Sequence, residues 1–337
     1  MGRRLHLAGL TVAVCVVLSV AAACGTSSST SSTSSSASPG ASGAHGTLAV
    51  FGAGTLATPF AAEIAAFKKA NPGVTVRSQF GASGDMVKKI TQLHQPDDVL
   101  GVADYSLIPK KMIPASATWY LGFVANQITF AYTSHSKGAS ELTPSNWYQV
   151  LAQPGVHIGR SNPAADPSGY QILQLLQLAS AYYHQPNLSA SVLKNSPDSS
   201  VAETETSLLA ALQSGQIDYL AIYKSTAQEN NLKYIALPPQ INLSDPSMAA
   251  AYRKVSVDAG SLGTLTAKPI IYGLTIPTSA PNAALGEKFI HFVLGPQGQA
   301  IMRSNGFVVI SPALANPRDK VPASITALTT QWPSSGG

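Results

Sequence analysis

From Gly46 onward, short runs rich in β-branched and aromatic residues alternate with amphipathic segments of helical period, and this alternation restricts the fold more than any other feature of the chain. "TLAVFG" (47–52), "VTVRSQFG" (74–81) and "DVLGVAD" (98–104) read as strands. Between them Phe60, Ile64 and Phe67 share one helical face, and Val87, Ile90 and Leu93 share another after Ser83. Strands separated by helices of about 10 to 15 residues predict an α/β architecture, a largely parallel sheet covered by helices. The pattern resumes with "QITFAYT" (127–133), helix "NWYQVLAQ", strand "VHIGRS", helices over about 167–184 and 200–213, and strand "IDYLAIY" (217–223). A further strand, "KPIIYGLTIP" (268–277), precedes closing helices over 281–294 and 296–304.

A folded body of this size tends to divide into two cores. The extended stretches near 128–133 and 269–276 are expected to cross between two lobes and form a two-strand hinge. Lobe 1 is then 46–129 plus 275–330, and lobe 2 is 130–274, including the crossings. Ligands of open α/β sheets sit beyond the carboxyl ends of strands, where helices begin. The turns at those ends are therefore the places to look for chemistry.

The N-terminal segment has a different character. "MGRRLHLAGLTVAVCVVLSVAAAC" carries two arginines, a mostly apolar run from Leu7 to Val20 and then small residues, the pattern of an export signal. The run is too short to span a bilayer comfortably. "VAAAC" resembles the lipobox of bacterial lipoproteins, so residues 1–23 are expected to be removed and Cys24 acylated, with plain cleavage after Ala23 as the alternative. Residues 24–45, rich in Ser, Thr, Ala and Gly, form a tether with a reach of about 25 Å. The expected location is the outer face of the cell membrane, and Arg3 and Arg4 leave folded and unfolded export both open. Cys15 falls inside the signal, so the exported body has no disulfide and is held by core packing.

The formal charge is +5, of which Arg3 and Arg4 supply +2, leaving +3. Pairs such as Lys68 with Lys69 and Lys110 with Lys111 are dispersed rather than aligned, which argues against a nucleic-acid surface. The chain also lacks G-x-S-x-G, the P-loop pattern, H-E-x-x-H and C-x-x-C, and its histidines are scattered. These absences argue against an enzyme, with a secreted hydrolase left as the more distant alternative.

Four turns are candidates. In "FGAGTLATP" (51–59), Gly52 and Gly54 free backbone amides to face a ligand, Thr55 adds a hydroxyl, and Thr58 with Pro59 reads as a helix cap and first-turn proline. "FGASGDM" (80–86) places Ser83 at a helix start. "SNPAADPSGY" (161–170) sets Asp166 as N-cap and Pro167 at the first helical position, ahead of Ile172, Leu173 and Leu176. "SSVAETETSLLAALQSG" (199–215) spaces Ser200 and Glu203 as a capping box, with Gly215 at the helix end. Each also has a plain structural reading as a cap or turn, except that Glu205 has no capping role beyond that of an acid near a helix start.

"ADYSLIP" (103–109), "NWYQVL" (146–151), "SNPAADPSGY", "LQSGQIDYLAIYKS" (212–225), "NLKYIALP" (231–238) and "KPIIYGLTIP" together resemble the tungstate/molybdate-binding lipoproteins of ABC importers. The likeness runs in order through most of 47–312 and implies a type II periplasmic-binding-protein fold whose lobes close over an oxyanion. It also implies delivery to an ABC permease, with no cofactor beyond the transported tungstate or molybdate. In that family the metal centre takes four oxo groups and two protein carboxylates. The aspartate falls on Asp166 and the glutamate on Glu205. Contacts to the oxo groups fall on Gly54, Thr55, Ser83, Pro167, Ser168 and Tyr223, although Pro167 has no amide hydrogen and acts only through geometry. Thr55 stands where the family usually has serine. The run "AETE" replaces a more basic sequence, which leaves Glu203 as an alternative second carboxylate.

Two carboxylates are unusual partners for an anion. At about 4 Å and an effective dielectric near 20, each opposes a dianion by several kcal/mol. Hydrogen bonds to charged groups, at about 1.5 to 3 kcal/mol each, do not comfortably offset that for sulfate. A hexavalent molybdenum or tungsten centre is large enough to accept two more oxygens, and its own charge dominates at bonding distance. The same carboxylates repel sulfate and phosphate, whose central atoms are too small to expand. A protonated oxyanion such as hydrogen phosphate, with Asp166 accepting its proton, or sulfate is the rival ligand.

Overall fold

The computed structural model describes residues 44–333, so the signal, Cys24 and most of the tether lie outside the described residues. Strand β1 (His45–Ala53) passes through a tight 3-10 turn, Gly54–Leu56, into helix α1 (Ala57–Ala70), whose Phe60 and Phe67 are buried. Strand β2 (Gly73–Gly81), helix α2 (Ser83–Thr91), strand β3 (Val99–Val102), helix α3 (Leu107–Lys111) and strand β4 (Tyr120–Ala125) follow.

The chain then builds a second sheet. Its elements are β5 (Ile128–Tyr132), α4 (Trp147–Leu151), β6 (Ile158–Ser161), α5 (Pro167–Tyr182), α6 (Leu188–Leu193), β7 (Val201–Ala202), α7 (Leu209–Gln213), β8 (Tyr219–Tyr223), α8 (Lys224–Glu229) and β9 (Lys233–Tyr234). A hairpin of β10 (Ser256–Asp258) and β11 (Thr264–Thr266) precedes the return through β12 (Ile271–Thr275). Helices Ala283–Leu294 and Pro296–Ser304 lead to β13 (Val308–Asn316) and β14 (Thr329–Gln331).

The strands form a seven-stranded sheet, ordered β14-β13-β4-β12-β3-β1-β2, and a five-stranded sheet, ordered β7-β6-β8-β5-β9. Each is the heart of one lobe. Both sheets are mixed, which corrects the expectation of a largely parallel one. β1 runs parallel to β2 and β3, but β12 is antiparallel to β3 and β4, and β5 is antiparallel to β8 and β9. The antiparallel strands are those through which the chain leaves one lobe and re-enters it. Sheet membership changes at 126–127 and again at 268–270, whereas the expected boundaries were 129/130 and 274/275. β12 lies wholly in the larger sheet.

Side chains alternate across the sheets as strand geometry requires. Along β8, Tyr219 and Ala221 face an apolar core shared by both lobes, while Leu220 and Ile222 face a separate cluster with Leu212 and Ala227. In the larger lobe, Phe51, Leu100 and Val102 pack with Met86, Val87 and Ile90 of α2 on the opposite face from Leu48, Val50 and Val99. Among the described residues, no helix is long and apolar enough to cross a membrane.

Three local expectations change. Thr58 does not cap α1, because the preceding 3-10 turn already leads into the helix, and its hydroxyl donates instead to Glu229 Oε1 of α8 at 2.6 Å. Leu93 lies past the end of α2 and is exposed. Residues 201–202 are strand, so the expected 200–213 helix starts later, as a 3-10 turn Glu205–Leu208 followed by α7. Ser200 therefore bonds locally, its hydroxyl donating to the Pro197 carbonyl at 2.8 Å, and no capping box with Glu203 forms. Gly215 does end α7, at φ +79°.

Candidate functional site

Because β1, β2 and β3 are parallel neighbours, their carboxyl ends open on the same edge of the larger sheet. Gly54 and Thr55 follow β1, Ser83 follows β2 and Asp104 follows β3. The smaller sheet repeats the arrangement. β6 is parallel to β7 and β8, so Asp166 after β6, Glu205 after β7 and Tyr223 at the end of β8 lie on a common edge. The two edges border one cavity of about 480 Å³, lined by Gly54, Thr55 and Ser83 from one lobe and by Asp166, Pro167, Glu205 and Tyr223 from the other.

Backbone hydrogen bonds fix the two acids side by side. The Asn162 amide donates to the Ala202 carbonyl at 2.7 Å, which ties the end of β6 to β7. Asp166 caps α5: its Oδ1 accepts from the Ser168 amide at 3.0 Å and its Oδ2 from the Glu205 amide at 2.9 Å. Capping and pairing with Glu205 are thus one geometry rather than competing roles. Gly169 makes the approach possible, since a Cβ there would stand 2.5 Å from the Ser161 carbonyl oxygen.

Glu205 is 5% exposed and its Oε2 accepts from the Tyr223 amide at 3.2 Å. Burial, and next the Asp166 charge, push its carboxyl up to about 8, against hydrogen bonds from Thr226, Ser168 and Tyr223 that favour the ionised form. Glu203 is exposed and does not line the cavity. Ser168 is fully buried behind the cavity wall, its amide held by Asp166 and its hydroxyl 2.7 Å from Ser161 Oγ, so it supports the acids from behind. Gly52 also stays out of the cavity. A Cβ there would lie 2.7 Å from the Phe80 ring, so packing requires its small size.

Hydroxyl groups complete the walls. Ser83 Oγ accepts from the Ala103 amide at 3.0 Å, and the Tyr223 hydroxyl donates to Gln171 Oε1 at 2.7 Å. Thr55 Oγ1 lies 2.9 Å from the Tyr272 hydroxyl. Burial raises the Tyr223 and Tyr272 hydroxyls above their ordinary range, so both stay protonated and able to donate. Asn126, at the first crossing, donates to Tyr272 Oη at 3.3 Å and to Ser225 Oγ at 2.8 Å. One polar chain therefore runs from Thr55 in the larger lobe, through the hinge, to α8 in the smaller.

Tyr272, Gln171, Asp104 and Lys268 also line the cavity and were not singled out from sequence. Asp104 ends a recognisable strand, and its position at a carboxyl end was the one available signal. Tyr272 and Lys268 reach the cleft only because β12 and the segment before it return between the lobes.

Two α/β lobes, each contributing strand ends to a cleft at their hinge, define a binding protein of the type II periplasmic class. The chain belongs to the bacterial extracellular solute-binding protein family, whose model matches residues 48–308. A solute-binding protein of Petrotoga mobilis is 39% identical over 285 residues, covering 83% of this chain and 89% of the relative. The molybdate/tungstate-binding protein WtpA of Thermococcus kodakarensis is 38% identical over 296 residues, covering 80% of this chain and 84% of its own. The solved periplasmic molybdate-binding protein of Azotobacter vinelandii shares the fold, with a TM-score of 0.52 at 19% identity over 78% of this chain and 99% of that one.

Proposed function

We propose that this protein captures molybdate or tungstate in the cleft between its lobes and hands it to an ABC permease. The observation that carries the proposal is the pairing of Asp166 and Glu205, with the Glu205 amide donating to Asp166 Oδ2 at 2.9 Å, on the wall of a cavity whose other side bears Thr55 and Ser83. Asp166 repels sulfate-like dianions, and Glu205, raised to about 8, gives up its proton when its oxygen ligates a metal centre able to expand its coordination. The two amides that grip Asp166 hold its oxygens in place, as outer partners do for metal-ligating carboxylates.

Hydroxyls of Thr55 and Ser83, with the Gly54 turn, donate to the oxo groups once the lobes close, and the Tyr223 hydroxyl joins them by turning away from Gln171 Oε1. Closure is stabilised only by contacts made in the closed form. The metal–carboxylate bonds formed on capture are undone on release and the oxyanion leaves unchanged, so the protein acts as a carrier rather than a catalyst. The "VAAAC" stretch supports lipidation at Cys24, with the tether holding the body near the outer face of the membrane as a monomer.

Isothermal titration with tungstate, molybdate, sulfate and phosphate in a phosphate-free buffer tests the proposal. Tight binding of the first two and no heat from the others is the expected result. Sulfate or phosphate binding in preference would return Asp166 to a proton acceptor or a plain cap.

A further inference from the structure

Three carboxylates line the cleft cavity, Asp104, Asp166 and Glu205, and Lys268 is the one cationic side chain among the lining residues. Asp104 is not paired with the other two acids. It stands at the end of β3, and Lys268 Nζ donates to its Oδ2 at 2.7 Å and to Ser106 Oγ at 3.2 Å, while lying 5.6 Å from the centre of the Tyr105 ring. The Ser106 amide holds the other Asp104 oxygen at 2.9 Å. Asp104 nevertheless acts on the cavity: Tyr170, another lining residue, is raised to about 12 by burial first and then by the charges of Asp104 and Asp166.

Lys268 comes from the far side of the hinge. Its flanking backbone is tied to the second half of lobe 2, through the Ala267 amide to the Val255 carbonyl at 2.9 Å and the Ile270 amide to the Leu243 carbonyl at 2.8 Å. The ion pair thus crosses the hinge at the cavity edge. With side-chain exposures of 41% and 42% it is too accessible to add much to stability. An exposed charge at a cleft acts instead on the field that an incoming ion meets.

We propose that Lys268 sets the rate of anion capture by cancelling Asp104, so that a dianion approaching Asp166 and Glu205 meets no further uncompensated carboxylate on the opposite wall. The inference rests on the oxyanion reading of the cleft. Lys268 is a specificity and steering residue here, acting through Asp104 rather than by ligating the metal centre.

The test is stopped-flow association of tungstate with the purified protein, followed by intrinsic fluorescence, for wild type, Lys268→Met, Asp104→Asn and the double variant, each at low and at physiological salt. Melting temperatures are measured alongside. Lys268→Met should slow association on the order of tenfold at low salt. The deficit should shrink as salt screens the uncompensated Asp104. The double variant should return to within about threefold of wild type, because the charge that Lys268 cancels is gone. A Lys268→Met protein that associates at the wild-type rate overturns the inference, as does a double variant as slow as Lys268→Met. Wild-type protein that binds neither tungstate nor molybdate overturns the oxyanion reading together with it, whereas binding with an unchanged Lys268→Met rate overturns the Lys268 role alone.

Discussion

Asp166 and Glu205 occupy their positions for reasons that belong to the backbone as much as to a ligand. Asp166 satisfies the Ser168 amide at the start of α5 and the Glu205 amide at the start of the next turn, so Asp166 is set in part by Glu205's main chain, while the Glu205 carboxylate is held by the Tyr223 amide. Replacing both, Asp166→Ala with Glu205→Ala, is expected to weaken tungstate binding at least 100-fold by titration calorimetry, a loss of about 3 kcal/mol or more, while Glu203→Gln leaves it unchanged. Equal affinity in the double variant would contradict the two-carboxylate site. A second buried acid makes a different prediction. Glu63 of α1 is fully buried, both its oxygens lack a partner, and burial raises its carboxyl from 4.5 to about 8. The folded state therefore keeps a proton that the unfolded chain releases, and wild-type stability falls as pH rises from about 4.5 through 8, by at most about 1.4 kcal/mol per pH unit for this group. In urea unfolding, Glu63→Gln should gain on wild type steadily from pH 5 to pH 8. A constant gap across that window would show that Glu63 does not titrate in this way.

At the scale of elements, the strand ends that carry the site were readable in the alternation of strands and helices, and the acids in the "DPSGY" and "AETETSLL" runs. β4 and β13 were harder to read. β4 is buried along its whole length, so it has no polar alternation, and Gly122 interrupts it because a Cβ there would lie 2.7 Å from the Trp332 ring. β13 contains Pro312, and its register shifts between Val309 and Leu314. Tyr272 and Lys268 had no local signal, because only the crossing of the chain between lobes brings them to the cleft. Thr55, Tyr272, Asn126 and Ser225 form a polar chain through that crossing. Tyr272→Phe removes the central hydroxyl and leaves Thr55 and Asn126 without it. The expected result is tungstate affinity about tenfold lower with circular dichroism unchanged, in keeping with the loss of a buried hydrogen bond or two. Unaltered affinity would reduce the chain of hydroxyls to packing.

For the molecule as a whole, the two lobes bring different chemistry to one cavity: hydroxyls, a glycine turn and the Lys268-paired Asp104 from the larger sheet, the unpaired acids Asp166 and Glu205 with Tyr223 from the smaller. Neither lobe alone lines that cavity. The central claim is that the acids bond to the metal rather than to the ligand's oxygens, and X-ray absorption at the tungsten edge of the tungstate-loaded protein tests it most directly. The account predicts a centre expanded from four to six oxygen neighbours, with two longer bonds that disappear in Asp166→Ala with Glu205→Ala. A bound ion whose spectrum matches free four-coordinate tungstate would contradict it.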